Sequence, residues 1–189
     1  MPDAREVILP YSKESFSIPQ NVYIIGTMNT ADRSIDRLDT ALRRRFHFVE
    51  EMPDSSVLSD INVDGLNVAR LLDTINRRIA YLYDRDHMIG HAFFTPLLED
   101  KTLGTLSKIF RNTVIPLLQD YFADDYEKIS LILGDNAKSQ KQYQFLVAEQ
   151  ADPNVLFKGT PESIYDLKEE LYYINEEAFS HIESYAEIL

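Results

Sequence analysis

Residues 21–46, NVYIIGTMNTADRSIDRLDTALRRRF, decide how the rest of the chain is read. Val22 to Ile25 is an uninterrupted apolar run closed by Gly26 and Thr27, the pattern of a strand buried on both faces of a parallel sheet. A polar elbow containing Asn29 and Asp32 follows. From Ser34 the period becomes helical: Ile35, Leu38, Ala41 and Leu42 form an apolar stripe, with Ser34 a candidate N-cap and Asp36 in the first turn. Arg43, Arg44 and Arg45 load the C-terminal end, where the helix dipole favours cations. Phe46, Phe48 and Val49 suggest a second strand, so the stretch reads as strand, helix, strand with a right-handed crossover. Such a unit leaves sheet edges and a helix face uncovered, and it must borrow neighbours.

Outward from this stretch, the chain has 189 residues, 44% of them hydrophobic, including 11 Tyr and 10 Phe, which is enough to bury a core. The formal charge of −12 argues against nonspecific binding to a phosphate backbone, which depends on basic side chains replacing counterions. Residues 1–50 hold seven basic and seven acidic side chains, so the whole excess lies after residue 50. That split implies a balanced N-terminal piece joined to an acidic, solvated one. There are no cysteines, hence no disulfides or thiolate sites. No apolar run approaches the roughly 20 residues of a spanning helix and no signal-peptide pattern is present, so the expectation is a soluble, cytoplasmic protein with no membrane partner.

Ahead of the central stretch, Val7 to Leu9 is a short strand candidate, broken by Pro10, with a second segment around Phe16 and Ile18. Behind it, the chain changes character at about residues 52–60. Asp64 to Tyr83 carries Val68, Leu72, Ile75, Ile79 and Leu82 at spacings of three and four, a long amphipathic helix. A second helical tract runs from about Leu103 to Phe122 and contains Pro116, which should kink or split it. A third, Asp124 to Leu133, has Gly134 as its stop. Gln142 to Ala148 is a strand candidate, Val155 to Phe157 a short apolar piece, and Asn175 a possible cap for a last helix bearing Phe179, Ile182 and Tyr185.

An asparagine at the carboxyl end of a buried parallel strand, beside a strand carrying a phosphate loop, can orient an attacking water, because an amide both donates and accepts without bringing charge. Asn29 occupies such a place. Asp32 and Arg33 could form an orienting pair joined by Asp39, and arginines at the end of the next helix could reach a neighbouring subunit's nucleotide. Ordinary readings compete: Asn29 and Asp32 as turn and cap residues, and the arginines as a solvated helix end or partners of Asp36 and Asp39. His87 and His91 are four apart, but Met88 stands where a zinc-protease motif has Glu and Gly90 weakens a helix there. No GxxxxGK[ST] phosphate loop occurs in the chain.

The string IGTMNTADRSIDRLDTALRRRF resembles the region from the sensor asparagine to the arginine finger of the McrB family, AAA+ GTPases of modified-cytosine restriction systems. IGHAFF (residues 89–94) and LLQDYFADDYEKISLILGD (residues 117–135) resemble the lid of that family. The resemblance implies an α/β plus α fold: a partial P-loop NTPase core over residues 1–52, then a mostly helical lid over 53–189 with a small β element near its end. It implies that Asn29 positions the hydrolytic water, that Asp32, Arg33 and Asp39 surround that site, and that Arg44 and Arg45 lie in the region of trans-acting arginines, with Arg45 the preferred finger. GTP and magnesium would serve the complete protein, with no cofactor expected for this chain alone. The implied partners are further copies in a hexameric ring, a McrC-like nuclease subunit, and DNA through parts absent here.

The family's phosphate loop, magnesium-binding strand and DNA-reading domain are expected upstream of this sequence, leaving a C-terminal piece inactive alone. In that class the two retained strands are separated by the strand leading into the phosphate loop. Residues 1–50 are therefore expected to be poorly supported, swapped with another copy, or packed abnormally. Rival readings are a non-catalytic assembly or docking module and an ATP-dependent AAA+ remodelling protein.

Overall fold

An Asp-Gly pair between two short apolar stretches starts the helical region. In the computed structural model, which describes residues 6–19, 21–28, 43–157 and 170–189, the chain forms two compact units, Met1–Arg37 and Leu38–Leu189.

In the first unit, β1 (Val7–Ile8) pairs antiparallel with β2 (Ser15–Phe16) in a small hairpin. The run expected to be a buried parallel strand is not one: Val22 to Ile25 has no strand hydrogen bonding and all four side chains are exposed, Tyr23 by 89% and Ile25 by 91%. Phe46 to Val49, the expected second strand, is likewise non-strand and exposed. The reason is physical: a parallel strand needs hydrogen-bonding neighbours and cover on both faces. The intervening helix expected from Ser34 lies outside the described residues.

In the second unit, β3 (Asn62–Val63) and β4 (Leu66–Asn67) form a hairpin whose turn residues, Asp64 and Gly65, have φ of 48° and 90°. Two positive φ values are what a two-residue turn matching strand twist requires. The expected helix from Asp64 thus begins later, as α1 (Val68–Leu82), capped by the Asn67 side chain accepting from the Arg70 amide at 2.9 Å. Its stripe of Val68, Leu71, Leu72, Ile75 and Ile79 is fully buried.

A short α2 (Pro96–Glu99) leads to α3 (Leu103–Ile109). The expected break at Pro116 takes a specific form. Residues Phe110–Val114 form a π turn in which the Ile115 amide reaches back to the Phe110 carbonyl, and α4 (Ile115–Phe122) continues from there. A proline lacks the N–H for the regular ladder, and a wide turn just before it accommodates that loss. Two left-handed residues, Ala123 and Asp124, reverse the chain into α5 (Tyr126–Leu133). α5 starts at an Asp125 cap and stops at Gly134, φ 70°. A Cβ on Gly134 would lie 3.2 Å from the Glu187 carbonyl oxygen, so the glycine also permits the C-terminal segment to approach.

β5 (Leu146–Gln150), shifted toward the C-terminus from the expected Gln142–Ala148, pairs antiparallel with β6 (Glu170–Ile174). α6 (Pro153–Leu156) contains part of the short apolar piece, with Val155, Leu156 and Phe157 exposed. Asn175 does cap, but the element is a 3-10 turn at Glu176–Ser180, followed by α7 (Glu183–Ala186). Phe179 and Tyr185, expected on one side of a single helix, are buried in an aromatic cluster with Phe110 and Phe145. Burial pushes the Tyr185 hydroxyl well above its ordinary titration range, and it donates to the Phe179 carbonyl.

Beside this cluster is a buried ion pair. Asp135 and Lys138 meet at 2.7 Å with side chains almost inaccessible to solvent. The Asp135 carboxylate also accepts from the Phe145 and Leu146 amides at 3.0 and 2.8 Å, fixing the start of β5. Lys138 donates to the Tyr143 carbonyl and lies over the Phe145 ring. Burial pushes the Asp135 carboxyl up against the pull of Lys138 and the two amides. Each charge is therefore satisfied only while the other is present.

Candidate functional site

Of the six residues assigned roles from the sequence, Asn29, Asp32, Arg33 and Asp39 lie outside the described residues. Arg44 and Arg45 are described, and both are exposed in a turn that follows Arg43. The Arg43 guanidinium stands 5.8 Å from the centre of the Phe48 ring, a cation–π contact that folds the basic turn against the strap after it.

That strap, residues 47–54, has no regular secondary structure but is fastened to the body of the second unit. Glu50 pairs with Arg85 at 2.8 Å, and the same guanidinium lies 3.6 Å from the Met52 sulfur. Four residues beyond Glu50, the Asp54 amide donates to His91 Nδ1 at 3.0 Å. Nδ1 is thus the accepting nitrogen of the ring in this bond. The Asp54 carboxylate turns the other way and accepts from the Ser56 amide, and that hydrogen bonding holds it below its ordinary range. The turn it caps ends at Leu58, which is fully buried.

Arg85 and His91 belong to one loop, residues 83–91, and this loop is rigidly held. Asn76, buried on α1, donates to the Ile89 carbonyl at 2.9 Å and accepts from the Ile89 amide at 2.7 Å, a two-point clamp from a side-chain amide to the backbone. His87 is buried between the rings of Tyr83 and Tyr121, with centroids 4.3 and 4.9 Å away, and its Nδ1 is 2.6 Å from Asp84. Although burial opposes its charge, hydrogen bonds and charge from His87 hold the Asp84 carboxyl below its ordinary range. The two histidines thus take separate partners, and among the described residues no group of three or more His, Cys, Asp or Glu is placed to hold a metal ion.

The contrast in strength matters. Asn76, Ile89 and His87 are buried, and leaving a buried polar group unpaired costs about 1–3 kcal/mol. Glu50 and Arg85 are each about 60% exposed, and an exposed pair of this kind contributes at most about 1 kcal/mol. The anchor loop is fixed, while the strap on it is releasable. The sequence signals for this arrangement were a polar residue inside an apolar helix stripe, Asn76, and two histidines whose spacing first suggested a metal; Arg85 carried no signal of its own.

Elsewhere, shallow depressions lie along Asp64, Asn67, Arg70 and Glu183, and along Arg77, Arg78, Tyr81 and Leu131. Neither carries a convergent set of catalytic groups. No helix among the described residues is long and apolar enough to cross a membrane.

A family model described as McrB, alpha-helical lid domain, matches residues 67–130, from the cap of α1 into α5. Over 152 residues the chain is 36% identical to the Type IV methyl-directed restriction enzyme EcoKMcrB subunit of Escherichia coli strain K12, covering 69% of this chain and 33% of that protein. The chain therefore spans about a third of the length of that relative.

Proposed function

We propose, from the premise that the chain is McrB-like and carries the helical lid of that family, that it is the lid-bearing part of a GTP-hydrolysing motor subunit in a modification-dependent restriction system. The observation that carries this reading is one of order along the chain: the block MNTADRSIDRLDTALRRRF (residues 28–46) lies upstream of the lid match at residues 67–130, with residues 47–66 between them. Residues 1–52 would be the end of the AAA+ α/β core and residues 53–189 the lid.

In this reading Asn29 orients the attacking water, with Asp32, Arg33 and Asp39 arranged around it, and Arg44 and Arg45 bring positive charge to the nucleotide of an adjacent copy. The chain has no GxxxxGK[ST] loop, and GTP and magnesium would be held by the complete protein. Alone it is expected not to hydrolyse GTP. Its partners would be further copies in a ring and a McrC-like nuclease subunit, the work being DNA translocation.

The test is Asn29→Ala in the complete subunit. Hydrolysis should be lost while ring assembly, read by sedimentation, is intact. Full turnover in that variant would favour a docking module with no part in the chemistry.

A further inference from the structure

We infer that β6 is a docking edge for a second copy of this chain: two β6 strands pair antiparallel about Tyr172 and join two hairpins into one four-stranded sheet. The inference goes beyond the motor reading and uses none of the residues assigned to hydrolysis.

The two edges of the β5–β6 hairpin differ. The Asn175 amide donates to the Phe145 carbonyl at 2.9 Å, which sets the phase of the ladder. Bonded pairs alternate in an antiparallel ladder, so Val147 exchanges bonds with Tyr173 and Glu149 with Leu171. Leu146, Ala148 and Gln150 on β5, and Glu170, Tyr172 and Ile174 on β6, therefore turn their amides and carbonyls outward. On β5 the outward Leu146 amide is taken by the Asp135 carboxylate at 2.8 Å. On β6, no described residue bonds to the outward backbone groups. Edge strands are ordinarily guarded by a charge, a proline, a bulge or a covering segment. The run Leu171-Tyr172-Tyr173-Ile174 carries no charge and no proline, and Leu171, Tyr173 and Ile174 are 46%, 50% and 38% exposed.

An open edge accepts a strand, and the register of β6 selects its own copy. Centred on Tyr172, antiparallel pairing sets Tyr172 against Tyr172 of the second copy and Glu170 against its Ile174, so every outward amide and carbonyl of β6 finds a partner. Centring on Leu171 or Tyr173 would leave Ile174 or Glu170 without one. In the favoured register Leu171 faces Tyr173 of the second copy, an aliphatic–aromatic cross-strand pair made twice. The two Glu170 positions stand four residues, about 14 Å, apart along the strands, beyond the ~8 Å screening length of physiological salt. In a chain of formal charge −12, this stretch can meet its own copy without setting like charges side by side. The contact is two-fold and closes at a pair, unlike the head-to-tail contacts of a ring.

Sedimentation equilibrium on the whole chain should show monomers in exchange with dimers. Leu171→Lys/Tyr173→Lys puts like charges directly across the new pairing and should weaken association about tenfold or more, and Leu171→Glu/Tyr173→Glu should do the same. Mixed in equal amounts, the two variants should associate with each other, which also shows that both fold. The chain lacks cysteine, so the register can be read separately. Tyr172→Cys should form a disulfide with its own copy under mild oxidation, since bonded antiparallel pairs hold their Cα atoms about 5.5 Å apart. Glu149→Cys, which the four-stranded sheet would place on the two outer strands, should not. A parent chain that stays monomeric up to about 1 mM overturns the inference. So does a dimer indifferent to the paired lysines, a mixture no more associated than its components, or cross-linking as ready at Glu149→Cys as at Tyr172→Cys.

Discussion

Val22–Ile25 and Ile129–Leu133 are short stretches rich in aliphatic side chains, yet all four side chains of the first are exposed while Ile129, Ile132 and Leu133 of the second lie in the core. The difference is what each needs from the rest of the molecule. A helix satisfies its backbone within itself and has only one face to cover, which α1 and α4 supply for α5. A strand of a parallel sheet needs hydrogen-bonding neighbours and two covered faces, and the described residues offer Val22–Ile25 neither. Apolar content alone therefore does not define a core; the fold must provide the partners that the element's geometry demands.

This comparison breaks most easily at Phe110. Phe110→Ala removes a ring packed against Phe94, Phe145 and Tyr185 and should cost about 3–5 kcal/mol in urea unfolding, whereas Tyr23→Ala should stay within about 0.5 kcal/mol. Equal losses at the two sites would mean that the N-terminal run is as well packed as the lid. Asp135→Ala leaves Lys138 buried without its counter-charge and frees the Phe145 and Leu146 amides at the start of β5, so a similar loss of about 3–5 kcal/mol is expected, with less if Lys138→Met is added. Gly134→Ala combines a positive φ with a close approach to Glu187 and should lower stability by more than about 1 kcal/mol, shifting the unfolding midpoint without changing the slope.

The smallest effect is a pH dependence. Glu187 accepts from the Ser139 amide and hydroxyl at 2.7 and 2.6 Å, and these bonds hold its carboxyl below the ordinary value of 4.5. Its contribution is therefore complete above about pH 4.5 and is lost as pH falls through the depressed folded value. Glu187→Gln should flatten that part of the acid-unfolding profile and leave the profile near pH 7 alone.

How much could be read in advance follows the same line. α1, the break around Pro116, the Gly134 stop and the Asn175 cap were legible because each depends on neighbours a few residues away. The Asp64-Gly65 hairpin carried a local signal too, but the helical period running into it obscured the turn. β6 and the Asp135–Lys138 pair were not legible, since their meaning comes from contacts with β5, which lies well apart in sequence from β6. At the candidate site, Asn29, Asp32, Arg33 and Asp39 rest on resemblance alone, and Arg44 and Arg45 are placed on an exposed turn. Arg85 became visible only when the fold brought the strap to the loop, whereas Asn76 and His91 stood out in the sequence but took their roles from the contacts of the fold.

The central claim is that this McrB-like chain completes the catalytic site of a neighbouring subunit through its arginines. It is tested most directly by the single-turnover rate of GTP hydrolysis for Arg45→Ala in the complete subunit, measured beside nucleotide affinity. A trans-acting arginine predicts a rate lower by about 10³-fold or more with affinity changed little. An unchanged rate would contradict the account.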